Sequence, residues 1–207
     1  VESILANIKG IKIAYPSNAA DFKGLLKAAY YDPNPVIMLE HKGLYWSKVP
    51  GTEEAKTIEP DENYILPFGK GNLIIEADKT ETEKGRTMLI VTYGVGIYWA
   101  KEAAKNFAGR VEIIDLRTLI PLDENLVFER VKIHGKCMVL TEEQINNSFA
   151  EAFAHRISKA CFRFLDAPVE AMGSLNLPAV PINLILEKEM LPNAEKLSLR
   201  INELLQN

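Results

Sequence analysis

Residues 88–123 read MLIVTYGVGIYWAKEAAKNFAGRVEIIDLRTLIPLD and hold a complete β-α-β unit. Met88 to Tyr93 is a short apolar run with β-branched members, the pattern of a strand buried on both faces. Gly94-Val95-Gly96 supplies a turn. Ile97 to Ala108 then has helical spacing: Ile97, Ala100, Ala104 and Phe107 share one face, and Lys101, Glu102, Lys105 and Asn106 form the wet one. Gly109 closes the helix, and Val111 to Asp115 is the next strand. A crossover helix joins strands that run parallel, so this unit dictates an α/β architecture.

Downstream, Leu116 to Asp123 is a connection, and Asp123 caps a helix over Glu124 to Ile133. Lys136 to Thr141 is a third strand. Ser148 to Phe164 is a long helix with Phe149, Phe153, Ile157, Cys161 and Phe164 on one stripe. Asp166-Ala167-Pro168 breaks it, and Val169 to Met172 is a fourth strand. Residues 174–189 are proline-punctuated and read as irregular. Pro192 and Asn193 open a terminal helix whose Leu197, Ile201, Leu204 and Leu205 point inward.

Upstream, a charged tip from Ala77 to Arg86 separates Asn72–Glu76 from Met88. This predicts a hairpin, with Asn72–Glu76 antiparallel at a sheet edge. Residues 47–63 read as a linker. The first forty residues form a second β-α-β unit. Its strands are Ile11–Tyr15 and Val36–Leu39. Its helix, Ala19–Tyr30, is capped by Ser17 or Asn18, turns Phe22, Leu25, Leu26 and Ala29 inward, and is stopped by Pro33 and Pro35. This unit is too small to be a domain alone. The fold class is therefore α/β: a mostly parallel five-stranded sheet with helices on both faces, preceded by a partial α/β domain.

Composition excludes some functions. Twenty-four basic against 28 acidic residues leave a net charge of −4, so bulk charge does not hold nucleic acid. No run of about 18 apolar residues exists to span a membrane. Cys137 and Cys161 fall in a strand and a helix pattern and read as buried thiols, without the spacing of a metal pair. The chain begins at Val1 inside an amphipathic stretch, Glu2 to Ile8, and is read as a piece cut from a longer protein.

The residues show no complete catalytic constellation. Tyr93-Gly94-Val95-Gly96 resembles a dinucleotide loop, with Asp115 as a strand acid, but Trp99 stands where the third glycine belongs; a tight turn is favoured over a phosphate site. His41 and the pair Glu142-Glu143 follow strand ends, where α/β proteins place functional groups. His134 sits at a helix end, and His155 stands on a helix beside Arg156; neither has a metal-ligand partner. The turn Ala29-Tyr30-Tyr31-Asp32-Pro33-Asn34 offers helix-end carbonyls, a carboxylate and an amide, oxygen ligands that suit a hard cation. A plain helix stop with an Asx turn is the competing reading.

Five stretches together resemble a known family: residues 10–45 (GIKIAYPSNAADFKGLLKAAYYDPNPVIMLEHKGLY), 91–104 (VTYGVGIYWAKEAA), 111–127 (VEIIDLRTLIPLDENLV), 165–173 (LDAPVEAMG) and 186–193 (LEKEMLPN). They are similar to the beta subunit, or fused beta-like region, of the thiamine diphosphate-dependent decarboxylase component of 2-oxo acid dehydrogenase complexes, in the transketolase-like superfamily. The resemblance implies that residues 1–63 are the C-terminal part of a pyrimidine-binding domain plus linker, and that 64–207 are a transketolase C-terminal domain. It implies an oxidoreductase parent that decarboxylates a 2-oxo acid on thiamine diphosphate with magnesium and passes the acyl group to lipoyl. EHKGLY leans towards branched-chain substrates over pyruvate.

By the same resemblance no catalytic or cofactor-binding residue falls within this chain, and the fragment alone is expected to be inactive. A potassium-type site carries over to the carbonyls of Ala29 and Tyr30 and to Asp32 and Asn34. The implied partners are an alpha subunit or alpha-like region, a second beta-type copy across a two-fold axis, and the lipoyl acyltransferase core. The implied location is bacterial cytoplasm or mitochondrial matrix. Another transketolase-like enzyme (a ketol transferase or deoxyxylulose phosphate synthase) and a non-catalytic assembly domain are the alternatives. The chain departs from the family at Pro33, at Gln144-Ile145-Asn146-Asn147-Ser148, where glycines are usual, and over Leu175 to Ile185.

Overall fold

Met88 to Thr92 forms β4 at the centre of the larger sheet, flanked on one side by β5 (Val111–Asp115) and on the other by β7 (Cys137–Gln144), all parallel. The computed structural model describes residues 1–206. The full order of this sheet is β3-β5-β4-β7-β8, with β3 at Asn72–Ile75 and β8 at Glu170–Ser174. Its pleat explains the continuous apolar runs. Leu89 and Val91 pack on one face with Cys137 and Val139, against α5 (Glu124–His134) and α6 (Phe149–Cys161). Met88 and Ile90 pack on the other with Met138 and Leu140, against α4 (Gly96–Ala104) and α8 (Ala194–Gln206). Side chains alternate across the strand, so a strand covered on both faces must be apolar throughout. The stripe of α8 predicted from spacing, Leu197, Ile201, Leu204 and Leu205, is buried.

The smaller sheet has the order β2-β1-β6. β1 (Lys12–Ala14) and β2 (Val36–Met38) pair in parallel around α2 (Ala19–Tyr30). β6 (Thr118–Ile120) runs antiparallel to β1. The sequence treats Leu116–Asp123 as a connection; in the fold its middle three residues complete the other sheet. A three-residue strand is too short to show a period.

Several expectations change. β3 is antiparallel and at an edge, but it pairs with β5 rather than with β4, so there is no hairpin. The charged tip is not a turn: it contains a short helix, α3 (Lys79–Glu83). Residues 174–189, read as irregular, carry most of α7 (Leu184–Met190), with Asn183 accepting from the Ile185 and Leu186 N–H groups. The helix after Gly96 ends at Ala104 rather than Ala108, and Ala103 takes the buried place expected of Ala104. Leu26 and Phe164 do not face the core; both are half exposed.

Beneath the strand starts lies a charged cluster that the spacing did not reveal. Glu112 is the one non-apolar residue inside β5 before its last position, and it is fully buried. Arg130 of α5 donates to both carboxylate oxygens through Nε and Nη2. His134 Nε2 stands 3.1 Å from Glu112 Oε1, close but out of line for a hydrogen bond. The other ring nitrogen, Nδ1, is 2.7 Å from Thr87 Oγ1. Burial alone would raise the Glu112 carboxyl, but His134 and Arg130 outweigh it and hold it at about 2. A depressed carboxylate stabilises the fold fully above its ordinary 4.5, and that contribution is lost as pH falls towards 2. Glu112→Gln is expected to cost on the order of 3 kcal/mol at neutral pH, because it leaves Arg130 with only the exposed Glu76 carboxylate, 3.7 Å away. It should also remove the acid-limb decline in thermal melts below pH 4.5. An unchanged acid limb in the variant would refute this account.

Candidate functional site

The strand ends where β1, β2, β4, β5 and β7 finish bring together most of the residues singled out from sequence. The loop Tyr93 to Gly96 is closed by the chain's own side chains. Gly94 has φ 55°, and a Cβ there would stand 2.8 Å from the Tyr15 ring; at Gly96 it would stand 2.1 Å from Thr92 Oγ1. These glycines serve close packing, and no space is left for a phosphate. Tyr15, Tyr93, Phe149 and Phe153 continue as a row of contacting rings, with the Tyr93 hydroxyl 2.7 Å from Thr141 Oγ1.

Glu142 and Glu143 separate in role. Burial pushes the Glu143 carboxyl upward, but the hydrogen bonds it accepts outweigh this and hold it below its usual range. Those donors include the Ser3 hydroxyl at 2.6 Å, the Ser3 N–H at 3.0 Å and the Phe149 N–H at 3.1 Å. It thus ties the first turn of α1 (Glu2–Ala6) to the first turn of α6. Glu142 faces His41, with Nε2 and Oε1 3.2 Å apart. His41 and Glu142 meet between two clefts. One is lined by Pro16, Ser17, Asn18, Phe22, His41 and Tyr45, the other by Glu2, Tyr15, Leu39, Glu40, Glu142 and Glu143.

A connected polar assembly joins the two sheets. Asp115, at the end of β5, is fully buried. Its Oδ2 accepts the Ser17 hydroxyl at 2.5 Å and its Oδ1 accepts the Arg117 N–H at 2.8 Å. Arg117 then turns its guanidinium to Asp21 of α2, with Nε and Nη2 each 2.8 Å from a carboxylate oxygen. The Tyr98 hydroxyl of α4 donates to the Ser17 carbonyl at 2.7 Å. Because Ser17 is held by Asp115, the cap of α2 falls to Asn18, whose Oδ1 accepts the Asp21 N–H at 2.9 Å. Sequence reasoning marked Asp115 but missed Ser17 and Arg117 as its partners; the IDLR spelling carried no signal of a bond to residues 17 and 21.

The remaining expectations divide. His134 lies in the buried Glu112 cluster, and His155 lines an open groove with Lys9 and Arg156 beside the start of α6, away from the strand ends. Ala29, Asp32 and Asn34 do come together at the end of α2. The Ala29 carbonyl accepts the Asp32 N–H at 3.2 Å, and Asp32 Oδ1 accepts the Asn34 backbone and side-chain N–H groups at 2.9 and 3.0 Å. Asp32 Oδ2 is ion-paired with the Lys12 ammonium. Lys12 and then Asn34 hold the Asp32 carboxyl at about 2. As placed, a lysine ammonium supplies the positive charge that an inorganic cation would bring.

The clefts do not suit thiamine diphosphate. The Ser17 cleft is about 110 Å³, room for a small molecule but well below the roughly 300 Å³ at which pockets for ligands of cofactor size begin. The other is lined by four glutamates against one cation, the Val1 ammonium already paired with Glu2 and Glu143, and by no lysine or arginine, so its excess negative charge disfavours a diphosphate. Among the described residues no three His, Cys, Asp or Glu side chains are grouped to hold a metal ion.

The family description "Transketolase, C-terminal domain" matches residues 78–197, and "Transketolase, pyrimidine binding domain" matches residues 1–47. The chain is 34% identical over 207 residues to 2-oxoisovalerate dehydrogenase subunit beta of Bacillus subtilis, covering 99% of this chain and 59% of that protein. It is 35% identical over 191 residues to pyruvate dehydrogenase E1 component subunit beta of Rhizobium meliloti, covering 91% of this chain and 38% of that one. The fold is similar to a solved split gene transketolase in an inactive beta4 tetramer, with TM-score 0.70, 18% identity, and coverage of 99% of this chain and 60% of that chain. The chain therefore spans three-fifths or less of the length of these relatives.

The Arg117–Asp21 pair gives a direct test of the junction. Both side chains are nearly buried, 14% and 4% exposed. Arg117→Ala strands a buried carboxylate and is expected to cost about 3–5 kcal/mol in denaturant unfolding. Arg117→Lys keeps the charge but loses the two-pronged contact, and should fall between that variant and wild type.

Proposed function

We propose, on the premise that this chain belongs to the transketolase family and carries its C-terminal domain, that it is the downstream part of a beta-type subunit or region of a 2-oxo acid dehydrogenase. The reading rests chiefly on a match that runs the length of the chain to beta subunits of such enzymes. In this proposal the parent decarboxylates a 2-oxo acid on thiamine diphosphate, with branched-chain acids favoured over pyruvate, and transfers the acyl group to lipoyl. Thiamine diphosphate supplies a carbanion that the protein positions rather than performs chemistry for. The carboxylate-lined strand ends of this chain support placing the diphosphate and its magnesium on the alpha-type partner. The proposal includes a second beta-type copy, the acyltransferase core, and a division of the chain at about residue 63. It also places the parent in cytoplasm or mitochondrial matrix; no helix among the described residues is long and apolar enough to cross a membrane.

The share of this chain is then to hold one part of the parent against the next. Glu143 fixes α1 to α6, and the Ser17–Asp115 and Arg117–Asp21 contacts fix the pyrimidine-domain portion on the C-terminal domain. Potassium at Ala29, Tyr30, Asp32 and Asn34 belongs to the same proposal, with Lys12 turning away to admit it.

The full-length parent, purified with its alpha-type partner and assayed with 2-oxoisovalerate, pyruvate and a sugar phosphate, tests the reading. Turnover is expected with the 2-oxo acids, fastest with 2-oxoisovalerate; activity on the sugar phosphate alone would overturn it. For the cation, melting of the assembly in potassium is expected to exceed that in a bulky organic cation. Lys12→Met should widen the difference, and equal melting in both salts for both proteins would count against the site.

A further inference from the structure

Ser17 stands between a buried carboxyl group and a cleft. On its inner side Asp115 Oδ2 lies 2.5 Å from Ser17 Oγ. On its outer side Ser17 lines the cleft with Pro16, Asn18, Phe22, His41 and Tyr45. We propose that Asp115 and Ser17 form a proton-operated hydrogen-bond switch, which sets whether the Ser17 hydroxyl offers the cleft a lone pair or a hydrogen. This goes beyond the proposed function and does not depend on it.

The two carboxylate oxygens have different tasks. Oδ1 accepts the Arg117 N–H in either protonation state. When Asp115 is ionised, Oδ2 accepts the Ser17 hydrogen, and only oxygen lone pairs of Ser17 remain for the cleft. When a solvent proton binds Oδ2, that new O–H donates to Ser17 Oγ. The Ser17 hydrogen is displaced and turns about the Cβ–Oγ bond towards the cleft. A hydroxyl has one hydrogen and two lone pairs, so both arrangements are saturated on the inner side. Asn18 Nδ2, 3.4 Å from Ser17 Oγ, can meet a lone pair in each.

The surroundings put the switch in a useful range. Asp115 is fully buried, and burial pushes its carboxyl up, with Ser17 and the Arg117 N–H pulling the other way, to about 7. The charged and titratable groups around it are Asp21 of α2, Arg117 on the following loop and Tyr98 of α4. Asp21 and Arg117 neutralise each other, and the Tyr98 hydroxyl is committed to the Ser17 carbonyl. Farther out, Glu54 is paired with Lys101, and across the cleft stand Glu40 and His41. Among the described residues no unpaired cation touches Asp115 to lock it ionised. A small ligand with a carbonyl or carboxylate oxygen is thus favoured in the cleft on the acid side, and one with an N–H or O–H donor on the alkaline side.

Asp115→Asn mimics the protonated state, because its amide keeps one acceptor for Arg117 and places a donor on Ser17. The test is pH-difference infrared spectroscopy on the intact protein, comparing wild type, D115N and S17A. A buried carboxylic acid C=O band is expected to grow as pH falls through about 7 in wild type and to be missing in D115N. In S17A the band should remain but move, having lost its Ser17 acceptor. The raised carboxyl favours the folded state fully below its ordinary 3.8, and that advantage is lost as pH rises through 7. Wild-type melting temperature should therefore decline from pH 5 to 7, and D115N should be flat there. Asp115 ionised throughout pH 5–8, or a band untouched by S17A, overturns the proposal; if D115N does not fold, those two readouts on wild type and S17A decide it alone.

Discussion

Between Asp115 and Thr118 the chain leaves one sheet and enters another, and this short crossing constrains everything around it. Arg117 adopts φ 59°, a left-handed conformation that costs a residue with a side chain about 1–3 kcal/mol. The cost is offset locally. The twist lets the Arg117 N–H reach back to the Asp115 carboxyl while its guanidinium reaches forward to Asp21 in a paired, charge-assisted contact. The same twist turns Thr118 into register with Ala14, and β6 begins. Removing the guanidinium would leave the strained backbone without its reward.

Much of the fold was legible because its elements obey simple periods. The apolar runs of β4, β5 and β7 announce strands covered on both faces, and the four inward residues of α8 stand at helical spacing. Errors arose where tertiary contacts overrule proximity along the chain. β3 stands next to β4 in sequence, and a polar tip between them argues for a hairpin; instead β3 lies on the far side of β5, and the segment holding α3 carries the chain past the place β5 will take and into β4. Leu26 and Phe164 extend apolar stripes beyond the surface that the sheets cover.

The polar sites were less legible for a different reason. Glu112 looks like an accident inside an apolar strand, since its partners Arg130 and His134 lie a helix away. Glu142 and Glu143 look alike, yet one meets a histidine that follows β2 and the other caps two helices. The missing glycines after them also find an explanation. Asn147 adopts φ 58°, a conformation asparagine tolerates better than other residues with a side chain, so the turn survives the change of residue.

The placement of β6 in the small sheet has a consequence for synthesis. β1 and β2 lie close together in sequence and can pair as soon as both are made, but their third strand is translated roughly a hundred residues after β1, behind β3, β4 and β5 of the larger sheet. Until Thr118 to Ile120 emerge, the antiparallel side of β1 is an open edge of unpaired N–H and C=O groups, a surface on which another nascent chain could add a strand. Here the order in which the chain is made, rather than the finished contacts, decides how long that edge stays open.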